Sequence, residues 1–144
     1  MLSLVLIFIL TIIFLVIVLF VYDRPDHVKQ TVEALKKNEL ALNSELFIYS
    51  DAAKNKNGED KVIKVRQYIK NLDGFKKVTI FERNKNLGLA SSIINGVTKI
   101  VNDYGKVIVL EDDLVTSPFF LKYMNEALEL YKEERRVASI HGYI

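Results

Sequence analysis

The run Val107-Ile108-Val109-Leu110, followed at once by Glu111-Asp112-Asp113, restricts the fold more than any other stretch of the chain. Its apolar residues are β-branched or aliphatic and do not alternate with polar ones, the pattern of a strand covered on both faces of a parallel sheet. Three adjacent carboxylates end it. Ligands of open parallel α/β sheets bind in the crevice beyond the carboxyl ends of the strands, so these acids stand where a ligand would arrive. Ser117 and Pro118 then read as the cap and first position of a helix.

Adjacent carboxylates repel one another, and a divalent cation would relieve that repulsion. Hard ions such as Mg²⁺ and Mn²⁺ prefer carboxylate oxygen and are commonly completed by water and substrate phosphates. That chemistry points to a nucleotide diphosphate. The alternative is a solvated acidic turn whose charges favour the N-terminus of the next helix by about 0.3–1 kcal/mol each.

The rest of the chain repeats the strand-and-helix alternation. Strands are expected at Ile17–Tyr22, Glu45–Ser50, Lys77–Glu82, near residue 106 and at Val137–Ile140. Between them, Val28/Val32/Leu35, Val62/Val65/Ile69/Leu72, Leu89/Ile93/Val97/Ile100 and Phe120/Met124/Leu128/Tyr131 recur at helical spacing. Pro25 falls in the first turn of the first helix, Lys54 to Asp60 reads as a loop, Gly74 closes the second helix, and Gly105 stops the third. Such alternation predicts an α/β fold with right-handed crossovers: a mostly parallel sheet of about five strands with helices on both faces. Because residue 144 follows directly on a strand, the chain is expected to be the first part of a larger domain.

Met1 to Val21 has only Ser3 and Thr11 as polar residues and no charge, long enough to span a bilayer at about 1.5 Å per residue. It lacks the basic start and small-residue cleavage site of a signal peptide. Arg24, Lys29, Lys36 and Lys37 follow it and no cation precedes it, which would place the body at the cytoplasmic face of a membrane, or in the cytoplasm if the segment does not anchor. The first strand competes for the same residues. The reading adopted is an apolar segment over 1–16, anchor or extension, and an α/β body over 17–144.

The absence of cysteine excludes disulfides and thiolate metal sites. A formal net charge of +2, with cations dispersed among acids, argues against nucleic acid as a partner. Arg83 to Ala90, with Lys85, Asn86 and Gly88, either offers N–H groups and positive charge to a phosphate or is a plain helix-start turn. Asp51 ends the second strand and either accepts from a base N–H or closes a turn; Arg24 either reaches a phosphate or solvates a loop. His141 follows the last expected strand without the partner spacing of a metal site, and His27 has less claim still. A receiver domain also combines α/β alternation with clustered acids, but its acidic pair ends the first strand, whereas this triplet ends the fourth.

Taken together, FVYDRPDH, YSDA, NKNLGLASSIINGV and YGKVIVLEDDLVTSPFFLKYMNEAL resemble nucleotide-sugar glycosyltransferases of the GT-A fold, of the family 2-like and N-acetylglucosaminyltransferase-I-like kinds, over residues 17 to 143. The resemblance implies a Rossmann-like donor-binding half and transfer of a sugar from a nucleotide-diphosphate donor to a glycan, lipid or protein hydroxyl, with Mn²⁺ or Mg²⁺ on the diphosphate. Glu111-Asp112-Asp113 looks like the family's DxD-type motif. By that likeness Asp113 would ligate the metal, and Glu111 and Asp112 would sit on the ribose and metal waters. Asp51 would face the base, while Tyr22, Asp23, Arg24, Asn86 and Gly88 would line the nucleotide. Asp23 stands where the family often has Asn, and His141 where a small hydroxyl residue is common. The resemblance places the acceptor half and the catalytic base beyond Ile144, so these residues alone are expected to bind donor without transferring it. Two other readings remain beside it: a nucleotide-binding remnant without chemistry, and a membrane-anchored structural piece.

Overall fold

A computed structural model describes residues 15–142. In chain order it contains β1 (Leu15–Val21), α1 (Pro25–Lys36), a 3-10 turn (Ala41–Asn43), β2 (Ser44–Ser50), α2 (Lys56–Ile69), β3 (Lys77–Glu82), α3 (Leu89–Tyr104), β4 (Ile108–Glu111) and α4 (Phe120–Leu130). The strands form one parallel sheet in the order β3-β2-β1-β4.

β1 lies inside this sheet and is buried along its whole length. That explains a segment with no alternation: both of its faces meet helices. Leu15, Ile17, Leu19 and Val21 face a core built with Val28, Val32 and Leu35 of α1, Val65 and Ile69 of α2, and Leu121 and Met124 of α4. Val16, Val18 and Phe20 face the other way, toward Phe47, Tyr49 and Ile100 of α3. Each such side chain contributes roughly 1.5–3 kcal/mol on burial. A one-residue slip of register would exchange the two sets.

The strand order also places the site. From β1 the chain steps outward to β2 and β3, then returns past β1 to add β4 on the other side. Crossovers of one hand running in opposite directions must lie on opposite faces, as α1 and α2 on one side and α3 on the other do. The order therefore reverses between β1 and β4, and a crevice opens there at the carboxyl ends of the strands.

Several expectations change. Val137–Ile140 is not a strand: Val137 N–H closes a turn onto Glu134 O at 3.0 Å, and Ile140 packs against the core without a ladder partner. Among the described residues the sheet has four strands rather than about five. β1 covers Leu15–Val21 where Ile17–Tyr22 was expected. The remainder of the apolar segment, residues 1–14, lies outside the described residues, and with it the question of an anchor. No helix among the described residues is long and apolar enough to cross a membrane.

Asn57-Gly58 belongs to the first turn of α2 rather than to a loop, and α2 ends at Ile69, before Gly74. Ser117 does not cap α4, which starts at Phe120; instead Asn38, buried after α1, accepts from the Leu121 N–H at 2.9 Å. A cap supplied from across the fold satisfies the same orphan donor that a local serine would. Finally, among the described residues β4 is not fully covered: Val109 is 38% exposed on the side that packs against α3.

Candidate functional site

The ends of the four strands define the site. Parallel pairing sets Val21 beside Ser50, Ser50 beside Glu82, and Phe20 beside Glu111. The residues that follow, Tyr22 to Arg24, Asp51, the Arg83 to Gly88 turn and Asp112-Asp113, therefore gather on one edge. A cavity of about 340 Å³ opens among them. Of the nine residues singled out in the sequence, Tyr22, Arg24, Asp51, Asn86, Gly88, Glu111 and Asp112 line it, while Asp23 and Asp113 do not.

On the β1–β4 side the organising group is Arg24. It stands one residue before Pro25 at the start of α1 and pairs with the Asp112 carboxylate, while its Nη1 donates to Asp113 Oδ2 at 3.1 Å. Asp112 is 3% exposed. Burial pushes its carboxyl above the usual range, against the pull of Arg24 and with the push of neighbouring Asp113. Burial works to lower the Arg24 pKa, but the two carboxylates outweigh it and hold it above its ordinary value. Thr31, buried on α1, donates to the Asp112 carbonyl at 2.9 Å and fixes the backbone from which both acids project.

On the β2–β3 side the organising group is Asp51. Its Oδ1 accepts from the Ala52 and Leu87 N–H groups at 3.0 Å each, and its Oδ2 from Leu87 and Gly88 at 3.1 and 2.9 Å. Asn86 Nδ2 donates to Ala52 O at 2.7 Å and closes the same turn. Gly88, at φ +77°, occupies the left-handed region just before α3. A side chain there would be strained; glycine lets the chain turn its N–H inward to Asp51. Across the mouth, the Lys54 N–H donates to the Tyr22 hydroxyl at 2.9 Å.

The cavity floor is aromatic. Tyr49 stacks between Phe20 and Phe81, with ring centroids 5.5 and 4.6 Å away. Gly96 of α3 lies so close that a Cβ there would stand 2.9 Å from the Phe20 ring and 3.1 Å from Tyr49. Helix and floor meet without a side chain between them. Tyr49 and Ser92 both line the cavity, and among the described residues their hydroxyls have no hydrogen-bond partner.

Thr31, Arg66, Tyr49 and Ser92 had no functional signal in the sequence. Thr31 hides among the apolar residues of α1, and Tyr49 reads as an ordinary strand residue. Ser92 is a buried position on a helix, and the α2 pattern around Arg66 marks only Val62, Val65 and Ile69 as inward-facing. His141 does not line the cavity; its Nε2 lies 3.2 Å from Ser139 Oγ. His27 is exposed on α1.

The four-stranded parallel sheet, with an acidic pair at its β1–β4 switch point and a backbone-lined turn after β3, fits the Rossmann-like half of a GT-A fold. The model of glycosyl transferase family 2 matches residues 16–140, and the chain belongs to that family. Among solved structures it is similar to S. aureus TarS 1-349, with a TM-score of 0.57 and 14% identity over 83% of this chain and 33% of that one. It is likewise similar to the mannosyltransferase PcManGT from Pyrobaculum calidifontis, solved in complex with GDP-Man and Mn²⁺. There the TM-score is 0.58 and identity 10%, over 83% of this chain and 32% of that one. The chain thus spans about one third of the length of these structures. No curated protein sequence matches it.

Proposed function

We propose that the chain binds a nucleotide-diphosphate sugar at the carboxyl edge of its sheet and supplies the donor half of a transferase that moves the sugar to an acceptor hydroxyl of a glycan, lipid or protein. The observation that carries this reading is the pair Asp112-Asp113 held by one guanidinium at the mouth of the cavity. Two carboxylates sharing one cation are a donor set that a hard divalent ion can use. Such an ion is commonly completed by water and substrate phosphate rather than by protein alone.

Asp113, half exposed and outside the cavity wall, is the residue that would hold Mn²⁺ or Mg²⁺; Glu111 and Asp112 would meet the ribose and the metal's water. When bound, the ion offsets negative charge on the departing diphosphate. Arg24, released from the carboxylates where they hold a divalent ion, would turn to the diphosphate. The backbone-braced turn at Asn86 to Gly88, with Asp51 behind it and Tyr22 opposite, would form the nucleoside wall, and Asp23 adds a negative charge beside it. Family membership and the GDP-Man and Mn²⁺ in the mannosyltransferase relative support this reading.

The test is a thermal melt of the chain with UDP and GDP, each with and without Mn²⁺, beside Asp113→Ala. Specific ligands raise the midpoint in proportion to occupancy. A shift that needs metal and disappears in Asp113→Ala is the expected result. A cooperative melt that neither nucleotide moves would sink the reading.

A further inference from the structure

We propose that Arg66 is the positioning residue of the nucleoside wall, an inference that rests on the donor-site reading above. Arg66 does not line the cavity; it reaches from α2 to the ends of β2 and β3 from behind. Its Nε donates to Ser50 Oγ at 3.2 Å. Its Nη2 meets three carbonyls: Ser50 O and Asp51 O at 3.3 Å each, and Arg83 O at 2.8 Å. Its Nη1 lies 4.0 Å from the Glu82 carboxylate.

These acceptors are the places where the sheet gives out. Ser50 and Glu82 are the last paired residues of β2 and β3, so Asp51 O and Arg83 O have left the ladder. Carbonyls in that position need another donor, and one guanidinium provides it for both strands. The two carbonyls also mark the two ends of the wall. Asp51 O belongs to the residue whose carboxylate receives the Leu87 and Gly88 N–H groups, and Arg83 O begins the turn that delivers them. Arg66 thereby fixes the separation between carboxylate and turn, and with it the width of the cavity on that side. The planar fork is required: an ammonium in its place is a point donor and cannot reach Ser50 Oγ and Arg83 O in one geometry.

A purely structural arginine would stabilise the whole sheet, whereas a positioning one acts on the turn. The experiment compares Arg66→Met, Arg66→Lys and Lys70→Met in the full chain by amide hydrogen exchange and by titration with UDP or GDP plus Mn²⁺. Lys70 serves as control because it also pairs with Glu82, at 3.1 Å, but touches none of the carbonyls. Exchange at Leu87 and Gly88 is expected to rise by roughly tenfold or more in Arg66→Met, with core β1 amides little changed and nucleotide affinity falling by a similar factor. Arg66→Lys should recover the melting midpoint without recovering the affinity, and Lys70→Met should alter neither exchange nor affinity. Should Arg66→Met fail to fold, the lysine variant carries the comparison alone. Exchange that rises uniformly over the sheet, or a turn that stays protected, would overturn the assignment. If the unmodified chain binds neither nucleotide, the donor-site reading fails, while the exchange pattern still decides the role of Arg66.

Discussion

The two sides of the cavity are built by different means. On the β2–β3 side the one carboxylate, Asp51, is surrounded by backbone N–H groups that cannot leave, and the carbonyls behind it are held by Arg66. On the β1–β4 side two carboxylates share a single side-chain cation, with Arg24 and Asp113 both nearly half exposed. The first arrangement is fixed before any ligand arrives; the second is an ion pair that another cation can replace. The proposed donor site would use both, a rigid wall for the nucleoside and an exchangeable charge for the phosphates and metal.

The comparison breaks most visibly at Asp51. Removing its carboxylate in Asp51→Ala takes away the acceptor of the part-buried Leu87 and Gly88 N–H groups, and hydrogen bonds to a charged group are worth about 1.5–3 kcal/mol. We expect a loss of about 3 kcal/mol in denaturant unfolding. A loss below about 1 kcal/mol would show that the turn finds other partners and that the wall is not preorganised by this residue.

Gly96→Ala asks whether the two sides rest on one floor. The added methyl meets Phe20 of β1 and Tyr49 of β2 together, at 2.9 and 3.1 Å. Overpacking of this kind costs about 1–3 kcal/mol. Nucleotide affinity, measured by titration, should fall with stability, because α3 and the turn before it must lift away from the sheet. Unchanged affinity would mean that the floor and the wall move independently.

Most of the fold could be read in the sequence because it depends on periodicity. The apolar runs of β1 and β4, the helical faces of α1 and α3 and the stop at Gly105 follow the local pattern, while β1 starts two residues earlier and α2 takes in part of the expected loop and ends before Leu72. What could not be read depends on partners distant in sequence. Val137–Ile140 has strand composition, yet nothing in its own residues reveals that no ladder awaits it. Ser117 looks like a cap, but the cap comes from Asn38. The site divides in the same way. Strand-end residues such as Asp51 and Asp112 were legible because topology sends all parallel ends to one edge. Arg66 and Thr31 were not, since their roles consist of contacts to backbone carbonyls that no spacing rule records.

Arg24→Met tests the exchangeable side. The Arg24–Asp113 contact is solvent-exposed and worth within about 1 kcal/mol, but loss of the guanidinium also leaves the buried Asp112 carboxylate uncompensated, so the melting midpoint should fall at neutral pH and recover when Asp112→Asn is added. Affinity for UDP or GDP with Mn²⁺ should fall by roughly tenfold, since charge-assisted contacts to phosphate are among the stronger hydrogen bonds. A midpoint that Asp112→Asn does not recover would place Arg24 with the rigid wall instead.

The smallest effect is a pH dependence on the exchangeable side. Because burial holds the Asp112 carboxyl above its ordinary value, the folded chain binds more protons there than the unfolded chain does. Stability then contains a contribution that is fully present below the unfolded pKa and is lost as pH rises through the raised folded one. With a chelator present, melts across that interval should show a shallow decline that Asp112→Asn abolishes. Arg24→Met should steepen it, because the guanidinium is the chief influence opposing the upward shift. A decline that persists unchanged in Asp112→Asn would show that the fold does not hold this carboxylate at a cost.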